Sequence, residues 1–241
     1  MDTDLSDEFD IFPDEPGDRD EAGGSKPRKN GSARDVVVRR LPIYARTLEY
    51  LEDEGIGHIS SNELGERIGI SAAQIRRDLA YFGDFGKQGK GYNVHFLLTQ
   101  MKEILRISAG WNVAIVGMGH LGQALAHYEG FAEGGFRVKA LFDHDPTKHG
   151  QEVEGLAIYG MAAMPEVLAA HHIRVALLAV PPAAAQVVAD ELIAAGVRAI
   201  LNYAPTVVKV PPHVRIRHID PVVALQSMTY YIQPEAAAGA G

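Results

Sequence analysis

One stretch, residues 113–143, constrains the fold of this chain more than any other. It begins with a β-branched apolar run typical of a buried strand, and a glycine turn of the form G-x-G-x-x-G follows. Next come a helical pattern over residues 121–128 and a second apolar run that ends on Asp143. This order is typical of a parallel sheet that holds a dinucleotide. The sequence therefore predicts the α/β fold class, with a Rossmann-type domain.

Each glycine of the turn has a physical role. Gly117 permits the tight turn, Gly119 lets the backbone approach a pyrophosphate, and Gly122 lets helix and strand pack closely. The helix N-terminus offers unpaired N–H groups to the phosphates. Asp143 follows the last glycine by 21 residues and is expected to accept the ribose hydroxyls. The turn residues predicted to bind the cofactor are Gly117, Met118, Gly119, His120, Leu121 and Gly122.

The cofactor class follows from the charge beside this acid. No Arg or Lys directly follows Asp143, and its carboxylate would repel a 2′-phosphate, so NAD or NADH is favoured over NADP. Two alternatives stay open at this point. The turn could only pack a helix on a sheet, or the domain could hold another nucleotide such as coenzyme A.

Strands and helices continue to alternate beyond Asp143, as in a parallel sheet. Strands are predicted at 175–180, 199–201 and 214–219, and helices at 165–170, 184–195 and 222–232. Asn202 and Tyr203 follow one of these strands, at the end where such sheets bind ligands. We therefore include both among the cofactor-binding residues.

The region before the glycine turn has the pattern of a helix-turn-helix. A first helix is predicted over residues 42–54. Ser60 and Glu63 fit a capping box that begins a short second helix, and Ser71 caps a third. Two short helices joined by a glycine-containing turn are typical of DNA-binding units, whose second helix enters the major groove.

A glycine- and lysine-rich loop over residues 86–92 has the character of a wing that reaches for phosphates. Residues 35–109 carry ten basic and ten acidic side chains, so this domain is not basic overall. The cluster of basic residues that is typical of a DNA-binding protein is confined to the third helix and the loop. A helical oligomerisation domain with a solvated charged face stays open as the alternative. The residues predicted to bind DNA are Ser71, Gln74, Arg76, Arg77, Lys87, Gln88, Lys90 and Tyr92.

Composition limits the class of protein. The 241 residues are 46% hydrophobic, yet no apolar run reaches membrane-spanning length, and the acidic N-terminus is unlike a signal peptide. The absence of Cys excludes disulfides and thiol chemistry. We expect a cytoplasmic protein with no membrane partner and no metal site. The predicted segments are a disordered tail (1–34), a winged-helix domain (35–110), a Rossmann domain (111–219), a C-terminal helix (220–233) and a flexible tail (234–241).

Taken in order, the motifs resemble those of the Rex family of redox-sensing transcriptional repressors. The resemblance extends from Arg39 to Ile232. It is carried by RRLP (39–42), SSNEL (60–64), IRRDL (75–79), YFG (81–83), GKGYNV (89–94), the glycine turn, FDHDP (142–146), AVP (179–181) and ILNYAP (200–205).

The resemblance implies a homodimer with N-terminal winged-helix domains and C-terminal Rossmann domains, whose last helix is exchanged between subunits. It implies that palindromic operator DNA is bound when NADH is low and released when NADH rises relative to NAD. It adds Val180, Pro181 and Tyr128 to the cofactor-binding residues. It also implies a switch, in which Asp220 exchanges Arg46 for Tyr128. A role of Asp220 as a mere helix cap is the alternative.

The sequence departs from the family's pattern at two positions. Gln88 stands where the family often has Arg in the wing, so Lys87 or Lys90 would take over that contact. Pro221 follows Asp220 where the family usually has a large apolar residue, and proline cannot fill that space in the same way.

Two enzyme-related classes are the alternatives: an NAD-dependent oxidoreductase, or a coenzyme A-binding domain, each with a helical appendage. An oxidoreductase needs a proton donor or acceptor beside the nicotinamide. His120 and His144 lie in the phosphate turn and after the ribose acid, and Tyr203 has no adjacent Lys. The expectation is therefore a regulator and not an enzyme.

Overall fold

The computed structural model describes residues 29–87, 90–230 and 232. The chain divides into two compact units between Ser108 and Ala109, whereas the predicted boundary follows residue 110. Most of the predicted N-terminal tail, the wing residue Gln88 and the predicted C-terminal tail lie outside the described residues.

The first unit combines helices with a small antiparallel sheet. Its elements are α1 (Lys29–Asp53), β1 (His58–Ile59), α2 (Ser61–Ile68), α3 (Ala72–Ala80), β2 (Gly86–Lys87), β3 (Gly91–Asn93) and α4 (Val94–Leu105). The strands pair in the order β1-β3-β2, and apolar side chains from the helices form one core beneath them. A helix-turn-helix followed by a two-stranded wing confirms the predicted winged-helix architecture.

Helix α1 is longer than predicted. We predicted a helix from Pro42 and a disordered tail up to residue 34, but the helix begins at Lys29 and holds Pro42 in its interior. An interior proline costs about 3 kcal/mol, because it removes a backbone hydrogen bond and crowds the preceding turn. Val37 and Leu41, one turn apart, are buried in the core of this unit. Their packing offsets that cost, which the local preference of proline for a first turn did not reveal.

The turn between α2 and α3 is fixed by caps and by a close backbone approach. Glu63 N–H donates to Ser60 Oγ at 3.2 Å, and Ser60 N–H donates to Glu63 Oε2 at 2.8 Å, which completes the predicted capping box. Gly69, with a φ of 71°, ends α2 in the left-handed conformation. A Cβ on Gly65 would overlap the carbonyl oxygen of Ile70. Only glycine therefore allows the two helices this approach.

The second unit is a mainly parallel sheet with helices. Its elements are β4 (Trp111–Val116), α5 (His120–Ala126), α6 (Gly130–Glu133), β5 (Phe136–Asp143), β6 (Glu152–Val153), β7 (Leu156–Gly160), α7 (Met164–Ala170), β8 (Val175–Leu178), α8 (Pro182–Ala194), β9 (Ala199–Asn202), β10 (Arg215–His218) and α9 (Pro221–Thr229). In the described part of the chain, seven strands pair in the order β10-β9-β8-β4-β5-β7-β6, and only β6 runs antiparallel to its neighbour. The order reverses between β4 and β8, and ligands bind at the carboxyl ends of strands at such a point.

Strand β4 is buried on both faces. Ala114 and Val116 pack into the core that includes residues of α7 and α8, whereas Val113 and Ile115 pack into the core that includes Leu125 of α5. Because helices cover both faces, the buried part of the strand, residues 113–116, is continuously apolar and does not alternate. This packing places the glycine turn, which directly follows β4, at the point where the strand order reverses.

Helix α9 has no buried residue. Its apolar side chains Leu225 and Met228 are 62% and 59% exposed. The helix begins at Pro221 and ends at Thr229, so it is shorter than the predicted helix over 222–232. No helix of the described ranges is long and apolar enough to cross a membrane.

Candidate functional site

Two glycines of the turn after β4 are required by the fold itself. Gly117 has a φ of +96°, which residues with a side chain rarely adopt, and a Cβ there would overlap the carbonyl oxygen of Ala179. A Cβ on Gly122 would overlap the carbonyl oxygen of Gly117. These contacts agree with the predicted roles of a tight turn and close helix–strand packing.

Gly119 is different, because the described protein gives no reason for a glycine there. Its φ is an ordinary −77°, and a Cβ at this position would have no neighbouring atom within 4 Å. It precedes α5 as the N-cap, and no side chain caps the helix. Open space against the backbone at a helix start suits a phosphate group. The turn therefore fits the pyrophosphate of a dinucleotide.

The other predicted residues of the turn differ in exposure. Met118 is fully buried, and its N–H donates to Asp143, so its contact with the cofactor stays a prediction. His120 and Leu121 are exposed at the start of α5.

Asp143, at the end of β5, holds the turn in place. Its Oδ2 accepts hydrogen bonds from Met118 N–H at 2.8 Å and Lys148 Nζ at 2.9 Å, and its Oδ1 accepts one from Asp145 N–H at 2.8 Å. Burial raises the pKa of Asp143, but the hydrogen bonds from Asp145, Lys148 and Met118 lower it more, so the net pKa lies below the ordinary 3.8. The predicted ribose contact would therefore use a carboxylate that already has protein donors on both oxygens.

Lys148 is a residue that the sequence reasoning missed. The preference for NAD over NADP rested on the lack of a cation directly after Asp143. The 3₁₀ turn Pro146–Lys148 nevertheless brings Lys148 back to that carboxylate. Its charge reduces the repulsion that a 2′-phosphate would meet. The preference for NAD stays a prediction with a weaker electrostatic basis.

The lowered pKa of Asp143 predicts an acid-dependent stability. A carboxyl whose folded-state pKa is depressed stabilises the fold fully above its unfolded value, and this contribution is lost as the pH falls through the folded pKa. Asp143→Asn should therefore be less stable than the parent at pH 7, and the difference should shrink as the pH falls below about 3.8. Urea unfolding of both proteins across this range measures it. A stability difference that is constant from pH 7 to pH 3 would contradict a lowered pKa of Asp143 in the folded protein.

The loops after β8 and β9 lie at the same edge of the sheet. Val180 and Pro181 follow β8 after Ala179, and Val180 lies against Gly117. Asn202 is fully buried: its Nδ2 donates to the carbonyl oxygens of Ala204 and Thr206 at 3.1 and 3.0 Å, and its Oδ1 accepts from Ala204 N–H. The amide of Asn202 thus shapes its loop from within, and its cofactor contact stays a prediction.

Tyr128 lies near enough to Tyr203 to affect the pKa of its hydroxyl. Burial raises the pKa of the Tyr203 hydroxyl, and the nearby Tyr128 hydroxyl raises it further. Tyr128 is 54% exposed, and its ring packs edge-on against Phe131 at a centroid distance of 5.1 Å. We placed Tyr128 at the end of a helix, but α5 ends at Ala126, so Tyr128 lies in the following turn.

Asp220 is the N-cap of α9. Its Oδ1 accepts a hydrogen bond from Val222 N–H at 2.9 Å. The capping role that we considered as the alternative is therefore present in the structure. Arg46 belongs to α1 of the first unit. The exchange of Asp220 between Arg46 and Tyr128 stays a prediction.

Helix α3 and its N-cap carry four of the eight residues predicted to bind DNA. Ser71 caps it and accepts from Gln74 N–H at 3.3 Å. Arg76 is exposed and donates to Ser61 Oγ of α2 at 2.7 Å, and exposed Arg77 donates to Gln74 Oε1 at 2.8 Å. In a helix-turn-helix, exposed side chains of the second helix, here α3, are the ones that contact the major groove of DNA.

The wing residues have different surroundings. Lys90 is exposed, whereas the side chains of Lys87 and Gln88 lie outside the described residues. Tyr92 is only 8% exposed and belongs to the core of the first unit, and burial raises the pKa of its hydroxyl. Its ring lies against Gly86 of the paired strand. The structure therefore gives Tyr92 a packing role, and its contact with DNA stays a prediction.

Asp78, on the inner side of α3, was also missed by the sequence reasoning. It is 1% exposed and accepts hydrogen bonds from Arg40 and Tyr44 of α1 and from Gln74 of α3. The hydrogen bond to Asp78 raises the pKa of Arg40, and burial raises that of Tyr44 far above 10.0. An acid at helical spacing between the core residues Ile75 and Leu79 was the available signal.

Two family models match the two parts of the chain. Residues 35–80 match the model of a putative DNA-binding protein N-terminus, and residues 108–206 match a CoA binding domain. In the described ranges, no group of three or more His, Asp or Glu side chains could hold a metal ion. One chain therefore combines a winged helix-turn-helix with a Rossmann-type domain that fits a nucleotide. This combination defines the class of nucleotide-responsive DNA-binding regulators.

The chain belongs to the Rex family of redox-sensing transcriptional repressors. It is 54% identical over 198 residues to the redox-sensing transcriptional repressor Rex of Roseiflexus sp. (strain RS-1), covering 82% of this chain and 90% of the relative. It is 56% identical to the Rex repressor of Chloroflexus aggregans, over 83% of this chain and 95% of the relative. The relatives are repressors and not enzymes, which disfavours the oxidoreductase and coenzyme A alternatives.

A solved structure agrees with this membership. The crystal structure of RSP in complex with β-NAD⁺ and operator DNA superposes with a TM-score of 0.77 at 38% identity, over 81% of this chain and 90% of RSP. RSP in complex with β-NADH gives a TM-score of 0.74 at 36% identity, over 81% of this chain and 92% of RSP. RSP is a Rex-family repressor.

Proposed function

We propose that this repressor binds NAD(H) at the turn over residues 117–122 and palindromic operator DNA through α3 and the wing, and that it releases the DNA when NADH rises relative to NAD⁺. The observation that carries the proposal is Gly119, a glycine with no role in the described fold, in a chain that also holds a winged helix. The complexes of RSP with β-NAD⁺ and operator DNA and with β-NADH support it. Because such a repressor needs access to DNA and to the NAD(H) pool, the proposal includes a cytoplasmic location.

The active form in this proposal is a homodimer with exchanged α9 helices. Apolar side chains of α9, among them Val222, Leu225 and Met228, are mostly exposed in the single chain. Burying such a stripe against a second copy removes apolar surface from water at about 25 cal/mol per Å². A twofold dimer also matches the symmetry of a palindromic operator.

A gel shift on a palindromic duplex selected by the protein from a random-sequence pool tests the proposal. The shifted band should persist with NAD⁺ and disappear as NADH replaces it. A band that is indifferent to NADH would contradict the redox response. Oxidation of NADH by the protein in the presence of a hydroxy acid's keto form would instead support the enzyme alternative.

Asp220 provides a test of the switch. Asp220→Asn can still accept the hydrogen bond from Val222 N–H, but it lacks the charge that a salt bridge to Arg46 requires. We expect weaker operator binding and a smaller ratio of DNA affinities without and with NADH. Fluorescence anisotropy titrations of labelled operator, with and without NADH, measure both.

Asp220→Ala is the matched control for the cap. It should lower the free energy of unfolding by roughly 1 kcal/mol, as the loss of an N-cap does. If Asp220→Asn keeps both the DNA affinity and the NADH response of the parent, the carboxylate is only a cap.

A further inference from the structure

Asp78 accepts four hydrogen bonds, which is more than the connection of two helices requires. Its Oδ2 accepts from Arg40 Nε at 2.6 Å and Tyr44 Oη at 2.5 Å. Its Oδ1 accepts from Arg40 Nη2 at 2.8 Å and Gln74 Nε2 at 2.7 Å. The two α1 donors alone would fix α3 to the core. The bond to Gln74 instead links this buried carboxylate to the outer surface of α3.

The bond from Gln74 settles which way its amide points. A carboxylate only accepts, so the amide nitrogen must face Asp78 and the amide oxygen must face away. That oxygen accepts from Arg77 Nη2 at 2.8 Å. A continuous chain of hydrogen bonds therefore runs from α1 through Asp78 and Gln74 to the exposed guanidinium of Arg77.

We propose that Asp78 is a positioning residue for DNA specificity: through Gln74 it holds the Arg77 guanidinium in the orientation that reads a base. This inference rests on the proposed function, since it assumes that α3 enters the major groove. A long side chain that is already oriented loses less rotamer freedom when it binds, and a bidentate base contact requires a defined orientation. Asp78 would then affect sequence discrimination without touching DNA.

Asp78→Asn tests the proposal with a side chain of the same shape. Its single acceptor oxygen should keep the place of Oδ2, which has the shorter contact with Arg40, 2.6 Å against 2.8 Å. Its amide nitrogen then faces Gln74 and cannot accept a hydrogen bond, so the orientation of Gln74 is released. The affinity ratio between the selected palindromic duplex and a scrambled duplex should fall about tenfold, the loss expected for one base contact. Affinity for the scrambled duplex should stay within about twofold of the parent, because phosphate contacts are unchanged.

Tyr44→Phe is the matched control. It removes one donor from Oδ2, the oxygen that does not bind Gln74, and should lower stability while keeping the affinity ratio. A double-mutant cycle supplies the second control: in an Arg77→Ala background, Asp78→Asn should lower the ratio by less than about twofold. If Asp78→Asn does not fold, judged by circular dichroism, Gln74→Met takes its place in the same cycle.

The outcomes separate the inference from the function on which it rests. If the parent does not distinguish the palindromic from the scrambled duplex, the proposed function fails and the inference fails with it. If the parent distinguishes them and the variant does so equally well, the inference alone is overturned. An equal loss with and without Arg77 also overturns it, because Asp78 would then act by another route.

Discussion

Replacing Gly119 with valine is expected to abolish tight NADH binding while leaving the fold intact. A Cβ at Gly119 meets no atom of the described protein within 4 Å, and its φ of −77° suits any residue, so the protein has no reason to unfold. The valine side chain would instead occupy the space in which the pyrophosphate approaches the backbone. We expect a loss of affinity of at least about 100-fold, on the order of 3 kcal/mol.

Isothermal titration calorimetry with NADH measures the affinity, and thermal unfolding of the same samples measures the stability of the fold. Gly122→Ala is the contrasting variant, because its Cβ would overlap the carbonyl oxygen of Gly117. That variant should lose stability as well as NADH binding. If Gly119→Val binds NADH as tightly as the parent, the turn is not the pyrophosphate site.

Replacing Arg77 with alanine should remove much of the preference for operator DNA. Arg77 is exposed on α3, and only one of its five N–H donors bonds Gln74 in the contacts described above. The other donors can contact a base while that bond persists. Losing a bidentate base contact costs about 1–3 kcal/mol, or roughly 5- to 150-fold in operator affinity. Affinity for random DNA should change little. Anisotropy titrations with both duplexes at one salt concentration measure the change.

Lys90→Ala is the comparison for a phosphate contact. Lys90 is exposed in the wing, and its loss should weaken binding to all duplexes alike and reduce the slope of log affinity against log salt by about one unit. Unchanged operator affinity of the Arg77→Ala protein would exclude a base contact by this residue.

Local patterns in the sequence predicted most of the architecture. Buried parallel strands are continuous apolar runs, so β4, β8 and β9 were found near their actual bounds. The cap between Ser60 and Glu63 and the turn glycines depend on neighbours within a few positions, which spacing reveals.

Long-range contacts account for what the sequence did not reveal. Asp78 meets Arg40 across 38 positions, and Asp143 meets Met118 across 25, so neither partner is visible in a local pattern. The early start of α1 depends on tertiary burial that outweighs an interior proline. The β6–β7 hairpin was not predicted, because its strands are short and one has only two residues. Its turn residue Gly155 has a φ of 71°, and a glycine between two short strands was the available signal.

The carboxylate of Asp143 also has a consequence for the energetics of sensing. The Met118 amide donates to that buried acid, so a contact within the protein itself fixes the shape of the loop. A receptor that is already ordered loses little conformational entropy on association, and more of the interaction energy remains as affinity. In the proposed binding mode, NAD⁺ and NADH would both contact this same loop through their shared adenosine diphosphate end. Discrimination between them must therefore arise at the other end of the dinucleotide.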